Sequence, residues 1–347
     1  MQQEKLLSVH DLHVHFTTRE GTVRALNGVD MELYRGETLG LVGESGCGKS
    51  MTARAIMQMV PFPGKIVKGE VHLYRREESG VRDINITALH PDSPEILDIR
   101  GPDIAMIFQE PMTSLSPIHT IGDQIGEAVR LHQDVTKEEA RERAIEMLYL
   151  VGIPDAKTRV DSYPFEMSGG MRQRAMIAMA LSCNPSILIA DEPTTALDVT
   201  IQAQILELIQ RLQQQLNMTV LMITHNLGVV AAMSHRVAVM YLGKIVELAS
   251  TDDIFHNPKH PYTQALLKSV PRVGEKTGER LYAIKGSIPD PFVQVPGCSF
   301  HPRCPQFVKG VCDRQVPRPV QVSEGHQVSC LLYSTGTDST AEGVAGR

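Results

Sequence analysis

Three groups of residues in this 347-residue chain have types and spacings that suit nucleotide chemistry. Residues 43–50 read GESGCGKS, a glycine-rich pattern typical of phosphate-binding loops. Residues 187–193 and 221–225 read ILIADEP and LMITH, two apolar runs that end in acidic residues or histidine. Glycines let successive backbone N–H groups turn towards a phosphate, and the positive end of a following helix strengthens the attraction. The sequence therefore predicts that the chain binds a nucleoside triphosphate.

The phosphate loop supplies two side chains with distinct expected roles. Lys49 places a positive charge on the β- and γ-phosphates, and the hydroxyl of Ser50 is a candidate Mg²⁺ ligand. The predicted nucleotide contacts in this loop are Gly43, Ser45, Gly46, Cys47, Gly48, Lys49, Ser50 and Met51.

The acidic residues follow a buried strand, which places them at its carboxyl end, facing the loop. There Asp191 is the predicted Mg²⁺ ligand, and Glu192 is the candidate general base for the attacking water. Gln109 follows another apolar run and has three possible roles: metal ligand, water ligand or loop cap. His225 ends the next strand and is a candidate ligand of the γ-phosphate.

The elements around these residues follow from local patterns. Residues 6–16 and 23–35 alternate well enough to predict two strands, and 37–43 predicts a short buried strand that leads into the loop. The helix after the loop is predicted to run to Pro61. Residues 75–103 are charged and irregular, which predicts a surface insertion.

Farther along, the pattern is that of a strand–helix–strand unit. Thr136 and Glu139 form a capping box that begins a helix. The runs 186–191 and 219–224 have the length and continuous apolarity of buried parallel strands, so we predict an α/β fold. The helix between them has an amphipathic face made of Ile201, Ile205, Leu208, Ile209, Leu212 and Leu216.

Composition limits the partners and the compartment. The net charge of −6 and the pI of about 6.1 give no basic field for nucleic acid or anionic lipid, so neither is predicted as a partner. No segment approaches the roughly 18–20 apolar residues of a membrane span, and the first residues do not resemble a signal peptide. We expect a cytosolic chain with reduced cysteines that reaches a membrane only by docking onto other proteins.

Taken together and in this order, the motifs resemble those of the ATP-binding-cassette (ABC) ATPases over roughly residues 5–270. The resemblance implies a P-loop NTPase fold of the ABC nucleotide-binding type. That fold has an N-terminal antiparallel β subdomain and a helical subdomain at about 112–182. It also implies a head-to-tail dimer in which each of two sites uses one chain's phosphate loop and the other chain's signature.

The resemblance also assigns roles along the chain. It implies a glutamine loop at Gln109, a signature at 167–171 (MSGGM), a dimer loop at 195–198 (TALD), a switch histidine at His225 and an adenine-stacking aromatic at Phe16. The expected nucleotide contacts outside the phosphate loop are Phe16, Gln109, Ser168, Gly169, Gly170, Asp191, Glu192, Asp198 and His225. The expected catalytic residues are Lys49, Gln109, Glu192 and His225, and the expected Mg²⁺ ligands are Ser50, Gln109 and Asp191.

The signature departs from the family's commoner LSGGQ. The residues that would bind the partner chain's γ-phosphate are present: Ser168, Gly169 and Gly170. Met171 replaces the usual glutamine. A polar contact to the nucleotide is therefore lost or moved. We still expect activity, because the phosphate-contacting residues and the catalytic carboxylates remain.

Within the family, the sequence favours a transporter. The phosphate loop and Asp191 lie about 140 residues apart, which leaves no room for the long coiled coil of chromosome-type members. Translation-type members carry two cassettes, and this chain has one. A DNA-binding member would carry a basic patch, whereas the charge here is acidic. The runner-up is a soluble, non-transport ATPase that acts on nucleic acid or ribosomes.

The C-terminal part resembles the oligopeptide/dipeptide transporter ATPases, through residues 256–271 and 296–313. Residues 271–333 are predicted to form an appended module and 334–347 a disordered tail. The module's four cysteines are spaced C-x5-C-x7-C-x17-C: Cys298, Cys304, Cys312 and Cys330. Four thiols in a reducing compartment favour metal ligation over disulfides, and spacing leaves zinc, an iron–sulfur cluster and free thiols open. The resemblance implies a [4Fe–4S] cluster.

The importer interpretation implies a set of partners. They are two membrane permeases, a second ABC ATPase, expected to be a different chain, and an extracytoplasmic substrate-binding protein. The chain would be peripheral on the cytoplasmic face of the inner or plasma membrane. Peptides are the expected cargo, with oligosaccharides or another small solute as the alternative.

Overall fold

The structure is a computed structural model that describes residues 4–109, 114–195, 197–269 and 284–334. The chain divides into two compact units, Met1–Ile245 and Val246–Arg347. Within the first unit, the strands are β1 (Lys5–Thr17), β2 (Thr22–Tyr34), β3 (Thr38–Val42), β4 (Gly64–Glu77), β5 (Gly80–Asn85), β6 (Ile104–Ile107), β7 (Ile187–Asp191), β8 (Thr219–Ile223) and β9 (Arg236–Tyr241). The helices are α1 (Lys49–Ile56), α2 (Pro94–Ile99), α3 (Ile121–His132), α4 (Lys137–Leu150), α5 (Ala156–Arg159), α6 (Gly169–Leu181), α7 (Val199–Gln215) and α8 (Leu227–Met233).

One sheet of the first unit is antiparallel, with the strand order β2-β1-β4-β5. Its first two strands confirm the predicted strands. The segment predicted as a surface insertion, 75–103, is largely exposed, but it is not irregular, because it contains the end of β4, then β5 and α2. The guanidinium of Arg75 holds its two ends together through bonds to Asp98 at 2.8 Å and to Asp103.

The other sheet contains β9-β3-β8-β7-β6 in that order, and each of these neighbouring pairs is parallel. Every residue of β3, β7 and β8 is buried, as continuous apolar runs require. The predicted parallel strands at 186–191 and 219–224 are confirmed as neighbours. Because the strands are parallel, their carboxyl ends lie along one edge of the sheet.

The helices follow their sequence signals closely. Thr136 and Glu139 form both bonds of the predicted capping box at the start of α4. The helix α1 ends at Ile56, before the predicted end at Pro61, and Gln58 then takes a left-handed conformation with φ of 53°. Most of the predicted apolar face of α7 is buried, through Ile205, Leu208, Ile209 and Leu212.

A single apolar cluster connects these helices to the parallel sheet. It includes side chains from α3, α4, α6, α7, β7 and β8, among them Ile125, Leu148, Ile177, Ile209, Leu188 and Val220. Because α6 and β7 share this core, the residues at the start of α6 and the end of β7 are held by the same packing.

The second unit contains all but the first two residues of β10 (Lys244–Ser250), and then α9 (Thr251–His256), α10 (Pro261–Lys268), β11 (Val320–Ser323) and β12 (His326–Val328). β12 pairs antiparallel with both β10 and β11. The buried carboxylate of Glu247 accepts bonds from the backbone N–H groups of Lys259 (2.6 Å) and His260 (2.9 Å), and lies 2.8 Å from Nε2 of His326.

These bonds tie the segment before residue 270 to the β11–β12 hairpin. The compact unit therefore begins at Val246, ahead of the predicted module start at residue 271. Residues 271–283 of the predicted module, and all of the predicted tail except Ser334, lie outside the described residues.

We predict that Glu247→Ala lowers the free energy of unfolding by about 3 kcal/mol, because it leaves buried donors unpaired. Both Glu247 and His326 side chains are fully buried. Urea unfolding followed by circular dichroism measures the change. The control is Glu146→Ala, whose side chain is 65% exposed beside Arg143, with an expected change within about 0.5 kcal/mol. Equal effects of the two substitutions would contradict the assigned role of Glu247.

Candidate active site

The predicted site residues meet at the carboxyl edge of the parallel sheet. Gly43 follows β3 directly, His225 comes shortly after β8, Asp191 ends β7, and Gln109 comes shortly after β6. In the sheet these four strands are consecutive neighbours, in the order β3-β8-β7-β6. Segments separated by up to 180 residues of sequence are thereby brought to one edge, where a ligand of an open α/β sheet binds.

The phosphate loop is shaped by glycines that admit no side chain. Gly48 has a φ of 110°, and a Cβ built on it would lie 2.6 Å from the carbonyl oxygen of Ala25. A Cβ on Gly43 would lie 2.2 Å from the carbonyl oxygen of Met240. Gly48 is also the N-cap of α1 and forms no side-chain cap. The start of α1 therefore keeps backbone donors that a phosphate can use.

The ammonium of Lys49 lies inside this loop. It donates to the carbonyl oxygens of Gly43 at 2.9 Å and Glu44 at 3.2 Å, and the residue is 6% exposed. Cys47 is buried beside it, and burial raises the pKa of its thiol. Cys47 is thus a neutral packing side chain. Its backbone N–H donates to the carbonyl oxygen of Glu44 at 3.3 Å, and its contact with the nucleotide stays a prediction.

Two of the three expected Mg²⁺ ligands, Ser50 and Asp191, are in direct contact. The hydroxyl of Ser50 donates to Oδ1 of Asp191 at 2.9 Å. Burial raises the pKa of Asp191, and the hydrogen bond from Ser50 opposes this. A hydroxyl and a carboxylate next to a phosphate loop are the oxygen donors that Mg²⁺ prefers, so these residues fit the ion.

Glu192 is the centre of a hydrogen-bond network. Its Oε2 accepts bonds from Nε2 of Gln109 at 2.9 Å and from the hydroxyl of Thr195 at 3.0 Å, and Oε1 lies 3.0 Å from Nδ1 of His225. Burial raises the pKa of Glu192, but the bonds from His225 and Thr195 outweigh it, so the net shift is downward. Glu192 is therefore ionised at neutral pH.

Two of these contacts were not predicted from the sequence. Gln109, expected as a metal ligand, a water ligand or a loop cap, donates to the candidate base, and its role towards the metal or the water stays a prediction. Thr195 was assigned only to the dimer loop. Thr195 lies three residues after Glu192, across a turn that contains a proline. This spacing could have predicted a hydrogen bond from the Thr195 hydroxyl to the Glu192 carboxylate.

The signature begins the helix α6. Ser168 is its N-cap and accepts a bond from the N–H of Met171 at 3.3 Å. Gly169 is the first residue of α6, and a Cβ on Gly170 would lie 2.9 Å from Ile201. Met171 packs against the apolar cluster. The departure from the usual glutamine is thus accommodated by packing rather than by a polar contact.

A buried bond connects the signature helix to the loop that carries Glu192. Nε2 of Gln173, a residue 1% exposed, donates to the carbonyl oxygen of Pro193 at 2.5 Å. Gln173 was not predicted, although a lone polar residue on the apolar face of a helix is a recognisable signal. Asp198, at the end of the dimer loop, accepts a bond from the N–H of Ile201 and caps α7.

The expected adenine-stacking residue is half-buried at the end of β1. The ring of Phe16 lies so close to Gly64 that a Cβ there would be 2.6 Å from it. One side of the ring is therefore covered by the chain. The role of Phe16 towards adenine stays a prediction.

The four cysteines of the C-terminal region lie together in the second unit. None of the four is in a disulfide, and Cys298, Cys304, Cys312 and Cys330 line one small cavity with His260 and Phe300. Burial raises the pKa of Cys304, and raises that of Cys330 to about 11. Over the described ranges, no three or more His, Cys, Asp or Glu side chains are arranged so that they could hold a metal ion.

Comparison with known proteins identifies the family. The model of the ABC transporter family matches residues 26–195. The dipeptide transport ATP-binding protein DppD of Bacillus subtilis strain 168 is 51% identical over 330 residues, which cover 95% of each chain. The chain belongs to the ABC transporter ATP-binding proteins. Residues 246–312 match the C-terminal region of oligopeptide/dipeptide transporters, which places this ABC ATPase in that group.

Other similar proteins are also ABC transporter ATP-binding proteins or cassettes. The oligopeptide transport ATP-binding protein AppD of Bacillus subtilis strain 168 is 48% identical to this ABC ATPase, over 94% of this chain and 97% of the relative. The solved structure of a dimeric bacterial ABC transporter cassette, MJ0796, matches with a TM-score of 0.61 and 27% identity, over 71% of this chain and 99% of that one. No helix in the described ranges is long and apolar enough to cross a membrane.

We predict that Glu192→Gln keeps ATP binding but lowers the turnover number by about 10²–10⁴-fold, because the amide cannot accept the proton of the attacking water. Phosphate release measures turnover, and binding of a fluorescent ATP analogue measures affinity. The control is Glu207→Gln, a change in an exposed residue of α7, which should leave both unchanged. Full turnover in Glu192→Gln would remove Glu192 from the role of base.

Proposed function

We propose that this chain is the ATP-hydrolysing subunit that powers import of oligopeptides or dipeptides through a membrane ABC transporter. The observation that carries the proposal is the match of residues 246–312 to the C-terminal region of oligopeptide/dipeptide transporters. Relatives at 51% and 48% identity are named for dipeptide and oligopeptide transport, and both align along nearly the whole chain. Oligosaccharides or another small solute are the alternative cargo.

The site residues divide the chemistry among them. The phosphate loop and Lys49 bind the phosphates of ATP, and Ser50 and Asp191 are placed to hold Mg²⁺, which neutralises charge on the phosphates when bound. Glu192 orients and deprotonates the attacking water, and His225 is placed beside it to contact the γ-phosphate. The ammonium of Lys49 bonds to carbonyl oxygens of the loop in this structure. It must leave them in order to contact the phosphates of ATP.

The same geometry supports a head-to-tail dimer. Ser168, Gly169 and Gly170 lie at the start of α6 and are not buried, so they can offer a hydroxyl and backbone N–H groups to the γ-phosphate bound by a second chain. We expect that second chain to be a different ABC ATPase. Closure around two ATP molecules would move the permeases, and hydrolysis would reopen the dimer. In this scheme residues 1–270 form the nucleotide-binding domain, with the helical subdomain at about 112–182.

We propose that a permease contacts an exposed apolar patch of the first unit. The N–H of Ile121 donates to the carbonyl oxygen of Ser162 at 2.9 Å, which brings the segment before α3 beside the segment before the signature. On these segments Ile118 is 76% exposed, Phe165 67% and Tyr163 37%, and the Tyr163 and Phe165 rings are stacked 5.4 Å apart. We call these three residues the docking patch.

We expect a cytoplasmic helix of a permease to bind at the docking patch. It is apolar, as the contact surface for an inserted helix requires, and it joins the chain that follows Gln109 to the chain that leads into the signature. A permease helix bound there would contact both the chain that follows Gln109 and the chain that leads into the signature. The chain would then be peripheral on the cytoplasmic face, with a substrate-binding protein on the other side of the membrane.

The test is a pull-down of the tagged chain from native membranes in mild detergent, with the partners identified by mass spectrometry. We expect two permeases, a second ABC ATPase and a substrate-binding protein, and we expect peptides to bind that protein. A sugar ligand would favour the alternative cargo. Recovery of ribosomal or DNA-binding proteins without a permease would overturn the importer function and favour the non-transport ATPase.

Substitution in the docking patch makes this test specific. We predict that Phe165→Ser lowers permease recovery at least about tenfold while ATP binding is kept, because it removes an exposed ring from the contact. The matched control is Val81→Ser, at a residue that is 63% exposed on β5. Equal recovery from both variants would place the permease contact elsewhere.

We also propose that Cys298, Cys304, Cys312 and Cys330 bind a [4Fe–4S] cluster, with zinc as the alternative. The support is chemical: four thiols line one cavity, and four sulfur donors suit either an iron–sulfur cluster or zinc. The sulfurs do not form a ready metal site as they lie here, so binding must draw them together. The role is expected to be structural, because a region of this size builds little core of its own.

We predict equal amounts of bound iron and sulfide in the chain purified without oxygen, and a visible absorbance band that dithionite bleaches. Cys312→Ser should lose most of the iron, whereas Cys183→Ser, at a thiol in the first unit, should keep it. Zinc without iron would favour the alternative metal. A chain with neither metal would overturn the proposal.

A further inference from the structure

His260 lines the cavity that the four cysteines of the second unit share. The residue is 1% exposed, and it lies in that cavity together with Phe300. The rings of His260 and Phe300 pack with their centroids 5.8 Å apart, and the ring of Tyr262 packs on Phe300 at 5.4 Å. The imidazole of His260 is therefore held by packing beside the cysteines and is shielded from water.

The proton of this imidazole has a fixed place. His260 is the N-cap of α10, and its Nδ1 accepts a hydrogen bond from the backbone N–H of Tyr262 at 3.0 Å. A backbone N–H can only donate, so Nδ1 carries no proton, and the neutral ring has its proton on Nε2. Because the cap turns Nδ1 towards the start of α10, the Nε2–H donor lies on the opposite side of the ring.

A second histidine of the same cavity has the opposite tautomer. Nδ1 of His301 lies 2.9 Å from the carbonyl oxygen of Cys298. A carbonyl oxygen can only accept, so this Nδ1 carries a proton, and Nε2 of the neutral His301 ring is an acceptor. Of these two histidines, it is therefore His260 that can donate from Nε2 while its ring is neutral.

Sulfur atoms of this cavity accept hydrogen bonds from the backbone. The N–H of Gln306 bonds to the thiol of Cys304, and the N–H of Leu332 bonds to the thiol of Cys330. Each bond opposes the effect of burial on the pKa of its thiol. Thiolates that bind a metal in one buried cavity repel one another, and N–H donors offset that repulsion. The Nε2–H group of His260 is a further donor of this kind.

We propose that His260 is a hydrogen-bond donor to the cysteine site: its Nε2–H donates to a sulfur atom there and stabilises negative charge on it. His260 is then a second-sphere residue rather than a metal ligand, because its cap bond keeps the proton on Nε2. Hydrogen bonds to the sulfurs are one of the factors that set the reduction potential of an iron–sulfur cluster. The inference rests on the proposed metal site at the four cysteines.

Two substitutions separate the donor from the helix cap. His260→Asn keeps an acceptor for the cap of α10, since asparagine is a good N-cap residue, but it removes the Nε2–H donor. His260→Gln keeps an N–H donor at about the reach of Nε2 and loses the cap. If His260 only caps the helix, glutamine is the more disruptive change. If it donates to the site, asparagine has the larger effect on the potential.

The experiment is a redox titration of the full chain, purified without oxygen, in which dithionite supplies one electron to the cluster. Electron paramagnetic resonance measures the reduced fraction. We expect His260→Asn to lower the one-electron equilibrium constant about three- to tenfold, which is about 30–60 mV in midpoint potential, because a donor to the more negative form is lost. His260→Gln should keep the wild-type midpoint. His301→Asn, from the same cavity, is the matched control and should also keep it.

A midpoint unchanged in His260→Asn, or lowered equally in His260→Gln, overturns the proposal. The second readout needs only the wild-type fold. In the chain labelled with ¹⁵N at histidine, pulsed electron paramagnetic resonance of the reduced cluster should detect a coupled histidine nitrogen, and His301→Asn should keep this signal. A wild-type spectrum without a coupled histidine nitrogen, or one whose coupling is lost in His301→Asn, also overturns the proposal.

Failure of this inference is distinguishable from failure of the proposed cluster. Bound iron with an unchanged midpoint in His260→Asn would keep the cluster and reject its donor, whereas a chain without metal overturns both. If zinc is bound instead, a chelator should remove it about tenfold faster from His260→Asn than from the wild type or His260→Gln, and equal rates overturn the proposal. These measurements use no permease, so they do not depend on the importer function.

Discussion

Parallel pairing of β3, β8, β7 and β6 is the constraint on which the site depends. Each strand contributes one functional segment beyond its carboxyl end, and the pairing places those segments side by side at about 4.8 Å spacing. Because all these strands are continuous and buried, the segments are held by a rigid edge. A contact such as that of Ser50 with Asp191 then follows from the position of the strands.

The site combines buried residues that are held by packing with an exposed histidine. The phosphate loop is fixed by close backbone approaches at Gly43 and Gly48, and Asp191 is buried at the end of its strand. His225, by contrast, is 65% exposed, and it contacts Glu192 only through its side chain. The buried part is therefore held by packing, whereas His225 is held mainly by its contact with Glu192.

The signature helix links these parts inside one chain. Its N-terminal residues are accessible, its apolar residues share the core with β7, and Gln173 bonds to the loop that carries Glu192. The start of α6 is therefore connected to the segment that carries Glu192, the candidate base, through packing and one buried hydrogen bond. Replacement of the usual signature glutamine by Met171 fits this arrangement, because the methionine adds to that packing.

The C-terminal region is held together by polar contacts to one buried carboxylate rather than by a parallel sheet. One buried carboxylate, Glu247, accepts bonds from the adjacent backbone N–H groups of Lys259 and His260 and lies beside Nε2 of His326, so it joins two separate segments to β10. A buried carboxylate costs desolvation energy, and these three contacts offset that cost. This explains why residues that look like a continuation of the ATPase belong to the second unit.

The sequence by itself determined the α/β class, most strands, the capping box at Thr136 and the identity of the phosphate-loop and acidic residues. These depend on local patterns: apolar runs, glycine spacing and helix caps act within a few residues. Only the tertiary structure decided that Gln109 and Thr195 bond to Glu192, that Gln173 reaches Pro193, that residues 75–103 are folded, and that Glu247 joins the C-terminal segments. Each of these is a contact between a polar side chain and a partner that no periodic pattern specifies, so it becomes visible only when packing fixes both ends.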